Sequence, residues 1–400
     1  MNPPALKIIT DVTVVLPEGK TLDGSVLLEG NRIRAISTEA PGSLLLSHEA
    51  EITSGKGHYL TPGLIETHFN GALGCNFNTS SIADIQGLLK QLPAYGITSC
   101  LLTAITAPQE DMIATIHTLE EVIHHQHPMH CRALGLHLEG PFINPQNRGS
   151  HPANSVLAPF VEDLKLYASP NTKLVTLAPE LDIKGDLIRY LASKNVRVSA
   201  GHSSATYADM QRAIEQGLSS VTHLYNAMKP FHHRDPGIIG AAFNEDTLYV
   251  QIIGEADHVN PEAIRMLVRG KNPKKIILVS DAYPMAGMPD GTDTMFGQQH
   301  VTMKNGSAVN EEGRLVGGHI LLDDCVRNLV NWQILRFEDA VQLATANPAE
   351  FLGHGHELGK IAEGYTANLT LWDKNTLAIK ATWVNGELAH NGNALEKVSA

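Results

Sequence analysis

The stretch ALGLHLE, residues 133–139, is a short apolar run that ends in a carboxylate. Such a near-continuous apolar run is typical of a strand that is buried on both faces in a parallel sheet. Seven further runs resemble it, and most are separated by apolar residues at helical spacing, as in residues 82–95, 111–125 and 207–216. The eight predicted strands span residues 64–69, 99–104, 133–139, 173–178, 197–202, 220–224, 249–254 and 275–281.

Eight alternating strand and helix units predict an α/β fold, namely a closed (β/α)8 barrel of the TIM type. A doubly wound open sheet is the alternative. That fold would need a glycine-rich phosphate turn after its first strand, and residues 64–74 contain no Gly-x-Gly-x-x-Gly motif. A chain of 400 residues suits a barrel with one added module.

Both ends of the chain have the character of β-structure. Residues 8–16 are rich in β-branched side chains, and residues 25–29 and 32–37 flank a tight Gly30-Asn31 turn. Residues 368–372 and 382–384 form a similar pattern near the other end. We therefore expect residues 1–58 and 359–400 to join into a small β-sandwich module, with the barrel spanning residues 59–358.

The composition limits the classes of partner. The net charge is −12, aromatic residues make up 5% of the chain and no basic stretch occurs, so a nucleic-acid partner is not expected. Four cysteines without paired spacing indicate a reducing compartment. No signal peptide is evident at the N-terminus and no apolar run is long enough for a bilayer, which predicts a cytoplasmic protein without a membrane partner.

Functional residues of barrel enzymes gather at the carboxyl ends of the strands. Glu139 ends the third predicted strand, His202 the fifth and His223 the sixth. A carboxylate and two imidazoles can bind a divalent metal and leave a position open for water. Each histidine alone could be a core residue, but three such groups on separate strands favour the metal-dependent hydrolases. Other polar residues at predicted strand ends are Glu66, Thr103, His137, Glu180, Asp257 and His258.

Asp281 ends the eighth predicted strand and would face the same opening. Its carboxylate could take a proton from water and pass it to a leaving nitrogen. The alternative is a helix N-cap or a turn, because Ala282-Tyr283-Pro284 follows. The end of a strand at this position favours the acid/base role.

The first strand leaves two interpretations open. His68 and Asn70 are alternate residues and would project to the same side. They form either a second metal site, in which the amide would be a poor ligand for zinc-like ions, or a polar floor bonded to water.

A second group of residues could bind an anion. The backbone N–H groups of Asn226 and Ala227 could act as donors, and the guanidinium of Arg234 suits phosphate. The alternative is a surface loop in which Arg234 pairs with Asp235, and spacing alone does not decide between the two.

Several motifs resemble those of a known family. TPGLIETH, residues 61–68, resembles the first-strand signature of the amidohydrolase superfamily. GLHLEGPF, residues 135–142, is similar to the third-strand motif of the N-acetylglucosamine-6-phosphate deacetylases. AGHS at residues 200–203, THLYNAM at 222–228 and LVSDA at 278–282 follow in that family's order and spacing. The similarity extends over nearly the whole chain, including both β-rich ends.

The resemblance implies the removal of acetate from an N-acetylglucosamine 6-phosphate. It implies one divalent metal, zinc first and iron, cobalt or manganese as alternatives, bound by Glu139, His202 and His223. Asp281 would be the acid/base, and His151 would approach the amide carbonyl or a sugar hydroxyl. The loop at residues 317–321 would cover the acetyl group, and the matching arginine would reach the neighbouring site of a homodimer. The implied substrate contacts are Asn226, Ala227, Arg234, His258 and Ile320.

Two departures from the family pattern keep alternatives open. Family members carry His-x-His or Gln-x-Asn on the first strand, whereas this chain has His68-x-Asn70, which leaves a second metal site in question. The residues around His258 also differ, so the galacto epimer remains a candidate substrate. A deaminase, a cyclic amidase or a binding protein without activity could use the same barrel.

Overall fold

A computed structural model of the protein describes residues 6–39, 50–296, 299–304, 307–311, 313, 316–392 and 395–398. All eight predicted barrel strands are present in one sheet, and each pairs with its neighbours in parallel. In chain order the barrel strands are Leu64–Glu66, Ile97–Ile105, Arg132–Glu139, Thr172–Leu177, Arg197–Ala200, Ser220–Val221, Tyr249–Ile253 and Ile276–Val279.

The eighth strand meets the first at the mouth of the barrel. The backbone N–H of Asp281 donates to the carbonyl oxygen of His68 at 3.0 Å. All nine residues of Ile97–Ile105 are buried, as expected for a strand with helices outside it and other barrel strands around it. The TIM-like barrel is therefore confirmed, and the doubly wound alternative is wrong.

The helices between the strands begin at good capping residues where the sequence provides them. Ser81 forms a capping box with Asp84, and Thr206 forms one with Asp209. The α-helices are Ile82–Gln91, Gln109–His124, Val161–Tyr167, Asp186–Ser193, Tyr207–Gln216, Gly237–Asn244, Pro261–Gly270, Leu322–Asn331, Phe337–Leu343 and Ala346–Phe351. Short 3₁₀ turns occur at Pro17–Gly19, Leu92–Tyr95, Pro145–Asn147, Ala153–Ser155 and Pro273–Lys275.

One predicted helix is shorter than its pattern. Residues 82–95 divide into the α-helix Ile82–Gln91 and the 3₁₀ turn Leu92–Tyr95. Pro93 explains the difference, because proline has no N–H to donate and its ring clashes with the preceding turn of an α-helix.

The two ends of the chain form the small module, in a single wrapped sheet. The strands Ala50–Pro62 and Leu369–Asp373 pair in the middle of it and join the two chain ends. The sheet encloses its own apolar core, which includes Val26, Leu60 and Trp383 and gives the module its sandwich-like form. Its other strands are Leu6–Val15, Thr21–Glu29, Arg32–Ser37, Ile379–Val384, Glu387–Asn391 and Glu396–Val398.

A three-stranded antiparallel sheet lies beside the barrel mouth. Its strands are Asp293–Phe296, Gln299–Lys304 and Ser307–Asn310. Val301 and Met303 from this sheet share an apolar cluster with Tyr283. A two-stranded ribbon, Gly71–Ala72 with Cys75–Asn76, follows the first barrel strand. Among the described residues, no helix has both the length and the apolar character needed to cross a membrane.

Candidate active site and metal centre

Glu139, His202 and His223 meet at the mouth of the barrel. Nε2 of His202 lies 3.0 Å and Nε2 of His223 lies 3.2 Å from the same oxygen, Oε1 of Glu139. The two Nε2 atoms are 3.0 Å apart. All three side chains are buried, and one ligand atom from each lies within 4.8 Å of the others. The spacing and burial fit a site for a small cation.

The chemistry of these donors also favours a cation. Nδ1 of His202 lies 2.9 Å from the carbonyl oxygen of Asn147, which can only accept a hydrogen bond. A neutral His202 therefore carries its proton on Nδ1 and directs the lone pair of Nε2 at Glu139. A lone pair and a carboxylate oxygen repel each other at this distance unless a positive charge lies between them. A backbone carbonyl on the outer nitrogen is the usual support of a metal-binding histidine.

The protein environment keeps Glu139 ionised. Burial alone raises the pKa of this carboxyl, but the charge of His68, together with the close contacts to the ring nitrogens of His202 and His223, outweighs it. The pKa of Glu139 therefore lies well below its ordinary value. Burial lowers the pKa of His223, which favours the neutral imidazole that a metal requires.

Three site residues have an unusual backbone conformation. The φ angles of His202, His223 and Asp281 are +48°, +30° and +48°. Residues other than glycine seldom adopt this left-handed region, and strain of this kind is concentrated at functional sites. Each residue is the second one after the end of its strand, so the turn directs its side chain inward over the mouth of the barrel.

His68 and Asn70 both reach Asp281. Nε2 of His68 lies 3.3 Å from Oδ1 of Asp281, and the amide Nδ2 of Asn70 donates to the same oxygen at 3.1 Å. His68 also lies 3.2 Å from Oε2 of Glu139. His68, Glu139 and Asp281 therefore form a second group whose ligand atoms could hold a metal. Asn70 acts as a hydrogen-bond donor to the aspartate.

The helix-cap interpretation of Asp281 is wrong. Residues 282–292 contain no helix, and the next regular element is the strand Asp293–Phe296. The Asp281 backbone instead bonds on both sides, because its N–H donates to His68 after the first strand and its carbonyl oxygen accepts from the N–H of Gly318 at 2.8 Å. The side chain is thereby held between His68 and the open cavity.

His151 packs against the metal-binding group from the loop after the third strand. Its Nδ1 lies 2.8 Å from the hydroxyl of Thr106, and its Nε2 lies 4.0 Å from Oε2 of Glu139. Burial, followed by the charge of His202, lowers the pKa of His151 to about 3, so the ring is neutral near pH 7. Gly140 makes room for this contact, because a Cβ there would meet Oγ1 of Thr106 at 2.2 Å.

These groups open into a cavity of about 370 Å³. The sequence-predicted residues that line it are Asn70, Glu139, His151, His202, His223, Asn226, Ala227, His258 and Asp281. A larger groove of about 1080 Å³ adjoins it and shares Ile105 and Ser150 with it. The smaller cavity is the candidate active site, because it alone of these two is lined by the metal-binding group.

Two residues from the predicted substrate contacts lie elsewhere. Arg234 is exposed, and its guanidinium contacts Nε2 of His233 at 2.8 Å. It lies on an exposed loop, as the surface-loop alternative expected, but within the described ranges its partner is His233 and it forms no ion pair with Asp235. Ile320 packs against the barrel core, and its neighbours Val316 and Gly317 line the cavity instead.

Other predicted strand-end residues lie below or beside the cavity. Glu66 accepts from Ser280 at 2.6 Å, and burial raises its pKa to about 7. Nε2 of His137 contacts the hydroxyl of Thr176 at 2.8 Å inside the barrel. Glu180 accepts from Ser203, at 2.6 Å, and holds the turn after the fifth strand. These groups hold the barrel interior and the turns around the cavity in place by hydrogen bonds.

Sequence reasoning missed several supporting residues. Gln251 lies 3.4 Å from Nδ1 of His68, and a lone amide inside the apolar run YVQII is a signal that could have found it. Thr106 and Asn147 could not be found from the sequence, because their contacts depend on loop conformation. The buried carboxylate after the seventh strand is Glu255, whereas Asp257, which the sequence analysis selected, is more exposed.

Comparison with known proteins agrees with this site. The family model described as "Amidohydrolase family" matches residues 59–389. An N-acetylglucosamine-6-phosphate deacetylase of Bacillus subtilis is 31% identical over 369 residues, which cover 91% of this chain and 92% of that protein. An N-acetylgalactosamine-6-phosphate deacetylase of Escherichia coli O157:H7 is 31% identical over 341 residues, covering 84% and 89%.

A solved structure gives the same result. The N-acetyl-D-glucosamine-6-phosphate deacetylase of Mycobacterium smegmatis, as a mutant in complex with N-acetyl-D-glucosamine-6-phosphate, superposes with a TM-score of 0.88 at 25% identity. The match covers 96% of this chain and 99% of that one. The amidohydrolase family is metal-dependent, in agreement with the buried histidine and carboxylate groups. The chain therefore belongs to the amidohydrolase family, within the group of N-acetylglucosamine-6-phosphate deacetylases.

Proposed function

We propose that this protein hydrolyses the acetamide of N-acetylglucosamine 6-phosphate to give glucosamine 6-phosphate and acetate. The observation that carries the proposal is the meeting of Glu139, His202, His223 and Asp281 around one cavity, in a chain whose relatives act on this class of substrate. The cavity of about 370 Å³ is of the size of small-ligand pockets.

Glu139, His202 and His223 would hold one divalent ion, with zinc as our first candidate and iron, cobalt or manganese as alternatives. One carboxylate and two imidazoles form a donor set of the kind that zinc uses in hydrolases. Such an ion supplies a Lewis acid, which makes water more acidic and polarises an amide carbonyl. The hydrogen bond between His202 and Asn147 supports this assignment, because it fixes the ring for ligation through Nε2.

Asp281 would carry the proton. In the proposed reaction its carboxylate accepts a proton from the attacking water and then transfers it to the amine nitrogen as the C–N bond breaks. The contacts from His68 and Asn70, at 3.3 and 3.1 Å, support this role because they hold the carboxylate in place at the cavity wall.

His151 would bind the amide carbonyl or a sugar hydroxyl. The Thr106 hydroxyl lies 2.8 Å from Nδ1 and 3.2 Å from the carbonyl oxygen of Glu139; when it donates to the nearer Nδ1, the proton of the neutral ring lies on Nε2, which is then available to a substrate oxygen. The lowered pKa of His151 supports a neutral hydrogen-bond donor at neutral pH.

Asn226, Ala227 and His258 would contact the phosphate, and Arg234 would do so from the neighbouring subunit of a homodimer. The exposure of Arg234, outside the lining of its own chain's cavity, supports a role across an interface. Ile320 would act indirectly, through the loop that carries Gly317. We also propose a cytoplasmic location, which the four free cysteines support, and division into a module of residues 1–58 and 359–400 and a barrel of residues 59–358.

The galacto epimer is the second candidate substrate. A relative named for N-acetylgalactosamine 6-phosphate matches at the same 31% identity as the Bacillus subtilis protein named for the gluco form. The deciding experiment measures free amine released from both epimers and from unphosphorylated N-acetylglucosamine. We expect the gluco phosphate to give the highest kcat/KM. If metal-loaded protein hydrolyses neither of the two phosphorylated sugars, the proposed function is wrong.

A further inference from the structure

A buried carboxylate beside the active-site cavity binds two histidines at once. Glu255 follows the seventh barrel strand, and its side chain is only 2% exposed. One oxygen, Oε1, contacts Nδ1 of His258, and the other, Oε2, lies 2.6 Å from Nδ1 of His319. Neither Glu255 nor His319 lines the cavity, whereas His258 does. The three side chains, which we name the Glu255 bridge, therefore extend from the cavity wall into the protein.

The charges of the Glu255 bridge support one another. Burial alone raises the pKa of Glu255, but hydrogen bonds from His258 and His319 outweigh it and lower the pKa to about 2. Burial alone lowers the pKa of each histidine, and the bond to Glu255 outweighs it, so both pKa values are raised. With both rings protonated, Glu255 and Asp257, whose Oδ2 lies 3.7 Å from Nδ1 of His319, face two positive charges, and the ring of His258 presents its charge to the cavity.

The bridge also joins two loops that form the cavity wall. His258 comes from the loop after the seventh strand. His319 comes from the loop that contributes Gly317 to the cavity, and its neighbour Gly318 is bonded to the backbone of Asp281. A Cβ at Gly318 would meet the carbonyl oxygen of Ser280 at 2.2 Å, so this loop lies tightly against the eighth strand. Movement of Glu255 would therefore release His258 and one anchor of the Gly317 loop.

We propose that Glu255 and His319 are positioning residues that hold His258 as a charged donor for the anionic end of the substrate. The inference rests on the proposed function and deepens it, because it assigns phosphate recognition to a three-residue unit. Charge-assisted hydrogen bonds are the stronger kind, and a planar ring that is fixed on one nitrogen presents its other nitrogen in a defined direction.

A cation shared by Glu255, Asp257 and His319 is the competing interpretation, since their ligand atoms lie close enough together. The distances favour the bridge. Glu255 and His319 are at hydrogen-bond distance, whereas Nδ1 of His319 is 3.7 Å from Asp257, whose same oxygen accepts from Ser307. Metal analysis of the variants below separates the two interpretations.

The test compares E255Q and H319Q with E262Q, a matched control at an exposed glutamate on the next helix. Steady-state kinetics are measured with N-acetylglucosamine 6-phosphate and with unphosphorylated N-acetylglucosamine. For E255Q we expect KM for the phosphorylated sugar to rise about 10- to 100-fold, as for loss of a hydrogen bond to a charged group, with kcat changed less than about threefold. H319Q should show a smaller rise in the same direction, and E262Q none.

A double variant shows whether Glu255 acts through His258. In the H258Q background, the further change E255Q should raise KM by less than about twofold, because the ring that Glu255 positions is already absent. An equal effect of E255Q on both sugars, or full additivity with H258Q, would overturn the inference. If E255Q does not fold, H319Q decides by the same criteria. If wild-type protein binds a further ion, besides the one at Glu139, and E255Q or H319Q loses it, the cation shared by Glu255, Asp257 and His319 replaces the inference.

These outcomes are distinct from failure of the proposed function. If wild-type protein releases no acetate from either phosphorylated epimer, the function is wrong. If wild-type protein is active and the kinetics of E255Q and H319Q match those of E262Q, the function stands and the inference fails.

Discussion

Oε2 of Glu139 lies 3.2 Å from Nε2 of His68, although the two residues come from the first and third barrel strands. The other oxygen of the same carboxylate faces His202 and His223, so Glu139 lies between two groups of possible ligands. Asn70 donates its amide to Asp281, so it adds no imidazole ligand to the group of His68, Glu139 and Asp281. This arrangement favours a single ion, with His68 as a contact of both carboxylates.

The number of bound metal ions should therefore depend on His202 and His223 and not on His68. We expect about one ion per chain in wild-type protein and in H68N after dialysis, and less than about a tenth of an ion in H202N and H223N, because each loses one of three protein ligands. Inductively coupled plasma mass spectrometry gives the content. H124N, at an exposed helix end, is the control and should match wild type. Two ions per wild-type chain would contradict the single-ion account.

Substitution of Asp281 by asparagine should affect chemistry and leave the fold intact. A positioned acid/base is worth about 10²–10⁴ in rate, so kcat of D281N should fall by that factor. N70A removes one hydrogen bond to the same carboxylate, and we expect a fall of only about 10-fold. Stopped assays of acetate release measure both, with thermal unfolding as the check on folding. Near-normal kcat in folded D281N would assign the proton to another group.

Arg234 should matter for phosphorylated substrate only. R234A should raise KM for N-acetylglucosamine 6-phosphate by about 10-fold or more and leave the unphosphorylated sugar nearly unchanged, because a guanidinium binds phosphate through charge-assisted bonds. R269A, on an outer barrel helix, is the control.

Mixed dimers test whether Arg234 acts in its own subunit or across the interface. If R234A and D281N chains are refolded together, a site with both residues intact forms only when Arg234 comes from the partner subunit. Recovery of about a quarter of wild-type activity is then expected, because half of the dimers are mixed and each has one complete site. Activity no higher than the sum of the separate variants would place Arg234 at its own site or outside it.

The stability of the protein should depend on pH through the Glu255 bridge. The pKa of Glu255 is lowered from 4.5 to about 2, so its contribution is present above pH 4.5 and is lost as the pH falls toward 2. The pKa values of His258 and His319 are raised from 6.5, so their contribution is present below 6.5 and is lost as the pH rises through the raised values.

The free energy of unfolding of wild-type protein should therefore exceed that of E255Q most strongly at about pH 5.5. Urea unfolding curves at about pH 5.5 and about pH 9 measure the difference, and it should shrink at the higher pH. E262Q, whose glutamate is exposed, should show no such trend. A difference that is independent of pH would mean that the bridge carries no charge.

Much of the fold is encoded locally, which explains why it could be predicted. Runs such as residues 133–139 are apolar because both faces of a barrel strand are buried, and the helix Tyr207–Gln216 was predicted with its observed bounds. Its Thr206 capping box and the left-handed Gly217 after it are local signals. The strand ends were predicted too long, as at residues 64–69 and 220–224, because the residues after the observed strands leave the sheet, with a left-handed backbone at His223.

The candidate site could be predicted in part because a barrel brings its strand ends together. Glu139 ends its strand, and His202 and His223 come two residues after theirs, so topology alone implies that they meet. Loops impose no such rule. The contacts of Thr106 with His151 and of Asn147 with His202 depend on chain direction after a strand, and the pairing of Glu255 with His319 joins segments 64 residues apart by way of two loops. No periodic pattern records such contacts.

The most direct test of the central claim follows bound metal and activity together. Protein stripped with a chelator is given zinc in steps, and bound zinc and acetate release from N-acetylglucosamine 6-phosphate are measured on each sample. The account predicts that activity rises in proportion to bound zinc and stops rising at about one ion per chain, while H202N and H223N neither bind the ion nor gain activity. Full activity in metal-free wild type, or in either variant, would contradict it.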